Sequence, residues 1–147
     1  MKVNKAKMSA NDTINGTFGA VWVNGIKFAN IKSFETKTNY NWEQVDVAED
    51  AGEHQRYMGY SGEGTMTFNK VDSSIAEMLT ADIKAGRFPE ITIIGKLQDS
   101  TGTQAERIQY NEVTFDSSTL QKFEQKKLVE EEIPFKFASY ELLDKIA

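Results

Sequence analysis

The sequence predicts a mainly β domain, an antiparallel β-sandwich or partly closed β-barrel with one packed α-helix. Val, Ile, Thr, Phe, Tyr and Trp together make 47 of the 147 residues, whereas Leu contributes 6. β-Branched and aromatic side chains fit the pleated surface of a sheet and lose rotamer freedom in a helix. Apolar and polar residues alternate in several segments, and a single stretch has helical spacing. The length suits one domain, which we expect to span residues 1–147.

The first alternating segment, residues 18–23, runs into Asn24-Gly25. Asn-Gly favours a type I′ turn because both central residues of that turn need a positive φ, so a β-hairpin is predicted here. The alternation slips by one near residues 29–31 and resumes over 34–42, as a β-bulge would cause. Residues 1–15 show neither period and are expected to form an N-terminal arm.

Residues 43–57 are polar and carry no helix cap or strand period, which predicts a long inter-strand loop. Loops of this length are uncommon in compact domains and are usually functional or disordered. A strand is expected over residues 59–71. Gly62 and Gly64 interrupt it, and glycines within a strand usually mark a bulge or a close approach of neighbouring atoms.

A helix is predicted at about residues 72–85. Ser74 with Glu77 fits a capping box, and Gly86 stands where a C′ glycine ends a helix. Its apolar residues recur every four positions, as one buried helical stripe requires; they are Ile75, Leu79 and Ile83.

Three further strands are predicted at about residues 90–98, 106–116 and 127–138. Pro134 lies within the last of them and cannot donate a ladder hydrogen bond, so it indicates an edge or a bulge. Residues 140–147 are expected to form a short helix. The prediction is therefore about six long antiparallel strands with one helix between the middle pair.

Composition excludes several classes of function. The chain carries 17 Lys and Arg against 22 Asp and Glu, and this net charge of −5 disfavours a basic groove for duplex DNA. It has no cysteine, which excludes disulfides and thiolate metal sites, and one histidine. No apolar run approaches the ~20 residues of a membrane span, and the N-terminus lacks the apolar core of a signal peptide. We expect a soluble protein that is made in the cytosol.

Individual motifs for catalysis or metal binding are weak. A group of acids in the predicted loop does not fit the calcium-loop spacing; it comprises Asp46, Glu49, Asp50 and Glu53. His54 has no obvious partner, Ser61 misses the nucleophile-elbow pattern, and Glu130-Glu131-Glu132 is typical of a solvated or pore-facing strand. We therefore expect no enzyme, no cofactor and no metal site.

Four stretches together carry a resemblance that covers roughly residues 16–137. They are Gly16 to Gly25 with its Asn-Gly turn, Tyr57 to Thr65, Lys96 to Asp99 followed by Gly102 and Glu106-Arg107-Ile108, and Glu131 to Phe137. In order and spacing the chain resembles the tail tube (core) proteins of contractile phage tails and of phage-tail-like bacteriocins of Gram-positive bacteria.

The resemblance implies a structural subunit that forms stacked hexameric rings around a lumen for DNA or effector passage. Implied partners are the subunit itself, the tail sheath, and baseplate or terminator proteins. DNA would slide through the lumen of a phage tube without specific binding, and an acidic wall suits that passage. The implied location is a virion tail or tail-like particle that is synthesised in the bacterial host cytoplasm, with no membrane partner.

Two sets of site residues follow from the resemblance and the strand pattern. The family's long loop contacts the adjacent ring, so the apolar residues in and beside the predicted loop are candidate inter-ring contacts: Trp42, Val45, Val47, Tyr57 and Met58. Acids opposite core-facing positions are candidates for the lumen wall: Glu35, Glu130 and Glu132. Rings are expected to close by strand-to-strand contact, because open edges of long strands are an aggregation hazard.

Two alternative functions stay open from the sequence. One is a tube protein of a type VI secretion or extracellular injection system. The other, from a different class, is a monomeric ligand-binding β-barrel, which would need an apolar cavity.

Overall fold

The computed structural model describes residues 19–98 and 104–146. The predicted N-terminal arm, residues 1–15, lies outside the described residues. The described elements are β1 (Gly19–Val23), β2 (Ile26–Lys27), β3 (Ile31–Val45), β4 (His54–Asn69), α1 (Ser74–Lys84), β5 (Ile93–Gln98), β6 (Ala105–Asn111), β7 (Thr114–Phe115), β8 (Glu130–Phe137) and β9 (Ser139–Asp144).

The described strands form two antiparallel sheets that face each other as a sandwich. Sheet A has the strand order β2-β1-β5-β6-β9, and sheet B has the order β3-β4-β8-β7. The prediction of a mainly β sandwich with one helix is therefore confirmed, and the described strands do not close into a barrel.

The core lies between the two sheets, and the alternation of each strand supplies it. Sheet B contributes its inward face from β4 and β8, and sheet A contributes mainly β-branched residues. Apolar burial of this kind is the main favourable term in folding. The core residues of sheet B are Met66, Phe68, Ile133, Phe135 and Phe137, and those of sheet A include Val21, Val23, Ile93 and Tyr110.

Helix α1 packs Ile75 and Leu79 into this core. Its C-terminus confirms the predicted C′ glycine: Gly86 has φ +83, its N–H donates to Ile83 O at 3.0 Å, and the Arg87 N–H donates to Asp82 O at 3.0 Å. These two hydrogen bonds together form a Schellman motif.

The predicted capping box is wrong. Ser73 occupies the N-cap without a side-chain bond, and Asp72 Oδ1 instead accepts a hydrogen bond from the Ser74 N–H at 3.0 Å. An aspartate two residues ahead makes this Asx-type turn without any need for Glu77. Ser74 bonding lowers the pKa of Asp72, so the carboxylate stays charged beside the helix N-terminus.

Two slips in the alternation mark places where the chain changes sheets. Around residues 28–30 it passes from β2 in sheet A to β3 in sheet B, and a register shift follows between Ile31 and Ser33. At Glu112, with φ +52, it passes from β6 to β7, so the predicted strand 106–116 is two strands. A crossing residue shifts the side-chain period by one, as a bulge does.

The hairpin of β3 and β4 is longer than predicted, and the loop 43–57 is correspondingly shorter. Strand pairing continues through Glu43↔Arg56 to Val45↔His54, and residues 46–53 alone form the loop. Both faces of this distal part are exposed, so the sequence there has no apolar–polar alternation. The period that usually reveals a strand is absent for that reason.

The short helix expected at residues 140–147 is also wrong. Ser139–Asp144 forms β9, which pairs with β6 through Tyr110↔Tyr140 and Ile108↔Leu142. An isolated helix of this length is unstable in water, whereas the edge of β6 offers ready hydrogen-bond partners.

Within sheet B, two sequence signals have a direct structural cause. A Cβ on Gly62 would lie 2.2 Å from the Phe137 ring, and one on Gly64 would lie 2.6 Å from the Phe135 ring. Pro134 lies in β8, just past the point where the two-residue strand β7 stops pairing with it. Its carbonyl accepts a hydrogen bond from the Asp116 N–H at 2.8 Å. The ladder ends there, so the missing N–H has little cost.

Candidate assembly surfaces

The distal half of the β3–β4 hairpin extends beyond the core. Every residue from Asn39 to Met58 is exposed, whereas the proximal half of the same hairpin carries the buried Met66 and Phe68. Large apolar side chains stand on this exposed part, and more than half of Trp42 (57%) and Met58 (55%) is accessible. A contiguous exposed apolar surface of this kind marks an interaction site.

Aromatic rings run along one face of the hairpin. The Trp42 ring centroid lies 5.7 Å from that of Tyr57, which lies 6.3 Å from Tyr40. Tyr60 stands opposite Tyr40 in the register, and its ring lies 5.9 Å from Tyr140. The period of two places Tyr40 and Trp42 on the side of β3 that carries Phe34, which packs against the core. The core-facing side of the sheet thus continues outward without a cover.

The structure brings together part of the predicted inter-ring set. Trp42 and Tyr57 are direct cross-strand neighbours, and Met58 is the extra residue of the register shift beside Asn41. Val45 lies three residues after Trp42 and so faces the other side of the hairpin, while Val47 lies in the terminal loop. Tyr40 and Tyr60 belong to the same aromatic face. Tyr40 lies two residues before Trp42 and Tyr60 lies two residues after Met58, and this spacing was the signal that could have identified them.

The loop at the end of the hairpin, residues 46–53, is acidic and has its own internal bonds. Asp50 Oδ1 accepts a hydrogen bond from the Gly52 N–H at 2.8 Å, and Asp50 Oδ2 lies 2.8 Å from His54 Nε2. The Gly52 bond and then the His54 bond lower the pKa of Asp50. His54 therefore has a partner, contrary to the sequence interpretation, and this pair fastens the loop to the start of β4.

The predicted lumen residues share one polar surface, the outward face of sheet B. Glu35, Glu130 and Glu132 occupy positions opposite the core-facing residues of β3 and β8. Five carboxylates and three lysines stand on this face, which leaves it a net charge of −2; they are Glu35, Glu63, Glu130, Glu132, Asp116, Lys32, Lys37 and Lys136.

Each lysine of this face has an acidic partner. Lys32 Nζ lies 2.6 Å from Glu130 Oε1, Lys37 Nζ lies 3.2 Å from Glu63 Oε1, and Lys136 Nζ lies 3.8 Å from Asp116 Oδ1. A bond from Asn39, with the Lys37 contacts, lowers the pKa of Glu63. Among the described residues, Glu35 and Glu132 take part in no ion pair. Exposed cations are therefore neutralised, and the excess charge is negative.

In the part of the chain that the structure describes, sheet B also has open edges. Strand β3 is its edge strand along all of Ile31–Val45, and β7 covers two residues of β8 on the other side. Long uncovered edges present unpaired N–H and C=O groups that pair readily with another chain.

Sequence reasoning missed two features. Glu131 is 5% exposed, and its Oε1 lies 3.0 Å from Lys70 Nζ, so one member of the acidic run is a buried charge and not a surface residue. The other is the segment at residues 117–129, which carries the exposed side chains of Leu120, Phe123 and Leu128 and has no strand or helix. Its apolar residues lack any period, so the pattern gave no signal.

A cleft of about 1020 Å³ opens between the sheets. Val21, Phe34 and Ile108 line it together with charged residues such as Lys96 and Glu106. This cleft is the feature that a ligand-binding protein would require.

Comparison with known proteins distinguishes a tube subunit from a ligand-binding protein. A family model described as "Phage tail tube protein" matches residues 6–144. The chain belongs to the phage tail tube protein family. It is therefore a structural tube subunit. This assignment favours the assembly surfaces, and not the cleft, as the functional feature.

Individual relatives agree with the family assignment. A curated protein of the phage-like element PBSX of Bacillus subtilis (strain 168), XkdM, is 30% identical over 142 residues, which covers 95% of this chain and 97% of that protein. A solved structure of a Bacillus subtilis protein is also 30% identical, covers 93% of this chain and all of the other, and has a TM-score of 0.53.

Two structures of lower identity share the fold of this tail tube protein. One is the sheath–tube complex of an extracellular contractile injection system in its extended state, with 12% identity, a TM-score of 0.73, and coverage of 98% of this chain and all of the other. The other is the tube-terminating cap of an anti-feeding prophage, with 10% identity, a TM-score of 0.75, and coverage of 99% and 100%.

Within residues 19–98 and 104–146, no three His, Asp or Glu side chains come together in a way that could hold a metal ion. In the same part of the chain, α1 is too short and too polar to cross a membrane.

Proposed function

We propose that this tail tube protein forms hexameric rings that stack into the inner tube of a contractile phage tail or tail-like particle. The lumen passes DNA or an effector. The family assignment supports the tube role, and the exposed aromatic face of the hairpin supports the stacking.

The hairpin is the observation that carries the proposal. Its core-facing side continues past the core with Tyr40, Trp42 and Tyr57 uncovered. Exposed aromatic residues lose contact with water favourably when a partner covers them, and such residues dominate interface energies. We infer that the adjacent ring covers this face. Val45 adds a contact on the opposite face of the hairpin, Val47 adds one in the terminal loop, and Met58 adds one at the register shift.

Ring closure is proposed to use the edges of sheet B. The open edge of β3 in one subunit pairs with the partly uncovered edge of β8 in its neighbour, beside the short β7. The joined sheets then form a continuous wall, which removes the edges of sheet B as barrel closure does. A specific interface of this kind buries at least ~1,000 Å².

The same arrangement assigns a side to the lumen. A continuous wall built from sheet B has its outward face on the side away from the core, where Glu35, Glu130 and Glu132 lie. Its net negative charge repels phosphate groups, so DNA would pass without adhering. The role is structural, without catalysis or a cofactor.

The proposed partners and location follow from the relatives. The similar structures include a sheath–tube complex and a tube-terminating cap, so we propose that a sheath surrounds this tube and that terminator and baseplate proteins bind its ends. The subunit is made in the host cytoplasm and ends in the tail of the particle.

Mutation of the aromatic face tests the stacking. Trp42→Ser with Tyr57→Ser removes the two central rings from an exposed surface, so the subunit should keep its fold while tubes become at least tenfold scarcer by negative-stain imaging. Val71→Ser is the matched control, because Val71 is 74% exposed and lies outside the hairpin.

Two outcomes contradict the proposal. Wild-type subunits that stay monomeric under all assembly conditions exclude a tube protein. Normal tubes from the double variant exclude the hairpin as the stacking element.

A further inference from the structure

The receiving surface for the hairpin lies, we propose, on the segment at residues 117–129 of a second copy of this chain. The acidic loop 46–53 of one subunit docks on the basic, apolar segment of a subunit in the next ring. This inference rests on the proposed stacking and adds the surface that the hairpin meets.

No other described residue of the chain covers the apolar side chains of this segment. Leu128, Leu120 and Phe123 are 85%, 77% and 75% exposed, which makes them the three most exposed large apolar side chains among the described residues. The segment has no strand or helix, and its internal bonds include one ion pair, Lys127 Nζ to Glu124 Oε1 at 3.0 Å. Apolar side chains held this far into solvent are typical of a binding surface.

Charge complementarity identifies the occupant. The segment has a net charge of +2, from three lysines and Glu124, in a chain whose net charge is −5. The loop at the end of the hairpin carries four carboxylates and no cation, and it also has the exposed Val47. Opposite charges arranged around apolar side chains favour one orientation of docking. The lysines are Lys122, Lys126 and Lys127, and the carboxylates are Asp46, Glu49, Asp50 and Glu53.

Within one chain, the anchors of these two surfaces lie far apart along sheet B. The segment follows Asp116, which bonds to Pro134 opposite Thr65 of β4, and it ends at Val129, whose carbonyl accepts a bond from the Lys70 N–H. The hairpin loop joins β4 at the other end, at His54. At ~3.3 Å per residue, even Thr65 lies about 36 Å from His54 along the strand. This separation favours another subunit as the partner.

The two surfaces lie toward opposite ends of sheet B, so their contact repeats head to tail. A heterologous contact of this kind propagates without closing, which is the geometry of a stack. The chain thus carries both halves of a stacking interface, one at each end of its longest sheet.

Engineered cysteines test the contact directly, because the natural chain has none. Val47→Cys with Leu128→Cys should cross-link between subunits when assembled tubes are treated with a short bifunctional maleimide, giving a ladder on a denaturing gel. Val47→Cys with Ile83→Cys is the control, with an exposed helix position as the second site and no ladder expected. A ladder from the control pair alone overturns the proposal.

Charge exchange gives an independent test that does not depend on cysteine geometry. Lys122→Glu with Lys126→Glu should weaken stacking about tenfold per subunit contact, and Asp46→Lys with Glu49→Lys should do the same. Mixing subunits of the two variants should restore stacking in part, because the unchanged acidic loop of the lysine variant then meets the unchanged basic segment of the loop variant, while the introduced lysines meet the introduced glutamates. Asp50 is kept because it fastens the loop, and Lys84→Glu on α1 is the matched charge control.

The outcomes separate this inference from the proposed function. Wild-type tubes without the cross-link and without rescue overturn the receiving surface and leave the tube function standing. Tubes that form normally from the lysine variant but no longer bind sheath assign the segment to the sheath and also overturn it. Absence of tubes from wild-type protein overturns both.

Discussion

Gly62 is a glycine because the ring of Phe137 fills the space where its side chain would be. The backbone of β4 therefore lies close against the aromatic core, and Gly64 makes the same approach to Phe135. These two contacts let large rings from β8 lie flat under their neighbouring strand. The sequence signal, two glycines inside an alternating segment, has this packing as its cause.

Substitution of Gly62 measures this fit. Gly62→Ala should lower the free energy of unfolding by about 1–3 kcal/mol, because the added methyl group forces the Phe137 ring out of its place. Denaturant unfolding gives the value. Gly52→Ala in the exposed hairpin loop should change it by less than ~1 kcal/mol, and equal losses at both positions would refute the packing explanation.

The ion pair of Lys70 and Glu131 is a second test at the residue scale. Lys70→Met leaves a carboxylate that is 5% exposed without its cation, so the free energy of unfolding should fall by about 3 kcal/mol. Lys32→Met breaks the neighbouring exposed pair with Glu130 and should cost below ~1 kcal/mol. Equal losses from both variants would show that the burial of Glu131 adds nothing to the cost of removing its cation.

Tyr110 predicts a dependence of stability on pH. Burial raises the pKa of its hydroxyl, against a smaller opposing effect of the hydrogen bond with Thr36, whose Oγ1 lies 2.6 Å away. The folded state holds the hydroxyl proton more tightly than the unfolded state does. The stability that protonated Tyr110 contributes is therefore complete below the ordinary tyrosine pKa of about 10, and it is lost as pH rises through the raised pKa of the folded state. Unfolding curves of wild type and Tyr110→Phe should converge above pH ~10; a constant difference would contradict the assignment.

At the scale of elements, the hairpin of β3 and β4 has two halves with different stability. The proximal half holds core residues, while the distal pairs from Trp42↔Tyr57 to Val45↔His54 have both faces in solvent. Few buried contacts and exposed backbone hydrogen bonds are the properties of a region that opens easily.

Hydrogen exchange should resolve these halves. In a free subunit, amides of residues 42–45 and 54–57 should exchange much faster than those of 62–68, and in tubes they should become protected, because a neighbouring ring covers them. Peptide-level mass spectrometry gives both values. Equal protection of the distal amides in subunit and tube would mean that the domain itself holds the hairpin.

The sequence predicted those elements whose side chains report their surroundings. The Asn24-Gly25 turn has φ values of +50 and +82, as a type I′ turn requires, and the helix ends at its C′ glycine. It could not predict the distal hairpin strands, because both of their faces meet solvent and no alternation exists. It read the crossing at residues 28–30 as a bulge, because a change of sheet and a bulge shift the side-chain period alike. It missed the crossing at Glu112 and predicted one strand over 106–116.

The assembly surfaces, like the fold, could be predicted from the sequence only in part. Trp42 and Tyr57 were identified because they flank the polar loop that contacts the adjacent ring in the family that the chain resembles, and the structure makes them neighbours. Their separation into faces was not predictable, because the register shift at Asn41 decides which side chains align. Glu131 looked like its neighbours in the acidic run, and only the partner strand that brings Lys70 close reveals it as buried.

At the scale of the whole molecule, the surfaces have a consistent division of roles. Among the described residues, one sheet has a largely polar, net acidic outer face and open edges, and its hairpin carries uncovered aromatic rings beyond the core. The described residues of a single chain leave all three features without a partner, and a ring that stacks gives each of them one. The family assignment and this division therefore lead to the same assembly.

Electron cryomicroscopy of assembled tubes would show directly how the subunits are arranged. We expect stacked hexameric rings in which sheet B forms the inner wall, Glu35 and Glu132 face the lumen, and Trp42 and Tyr57 are buried against the next ring. A reconstruction with sheet A on the inner wall, or with the hairpin directed away from the adjacent ring, would contradict it.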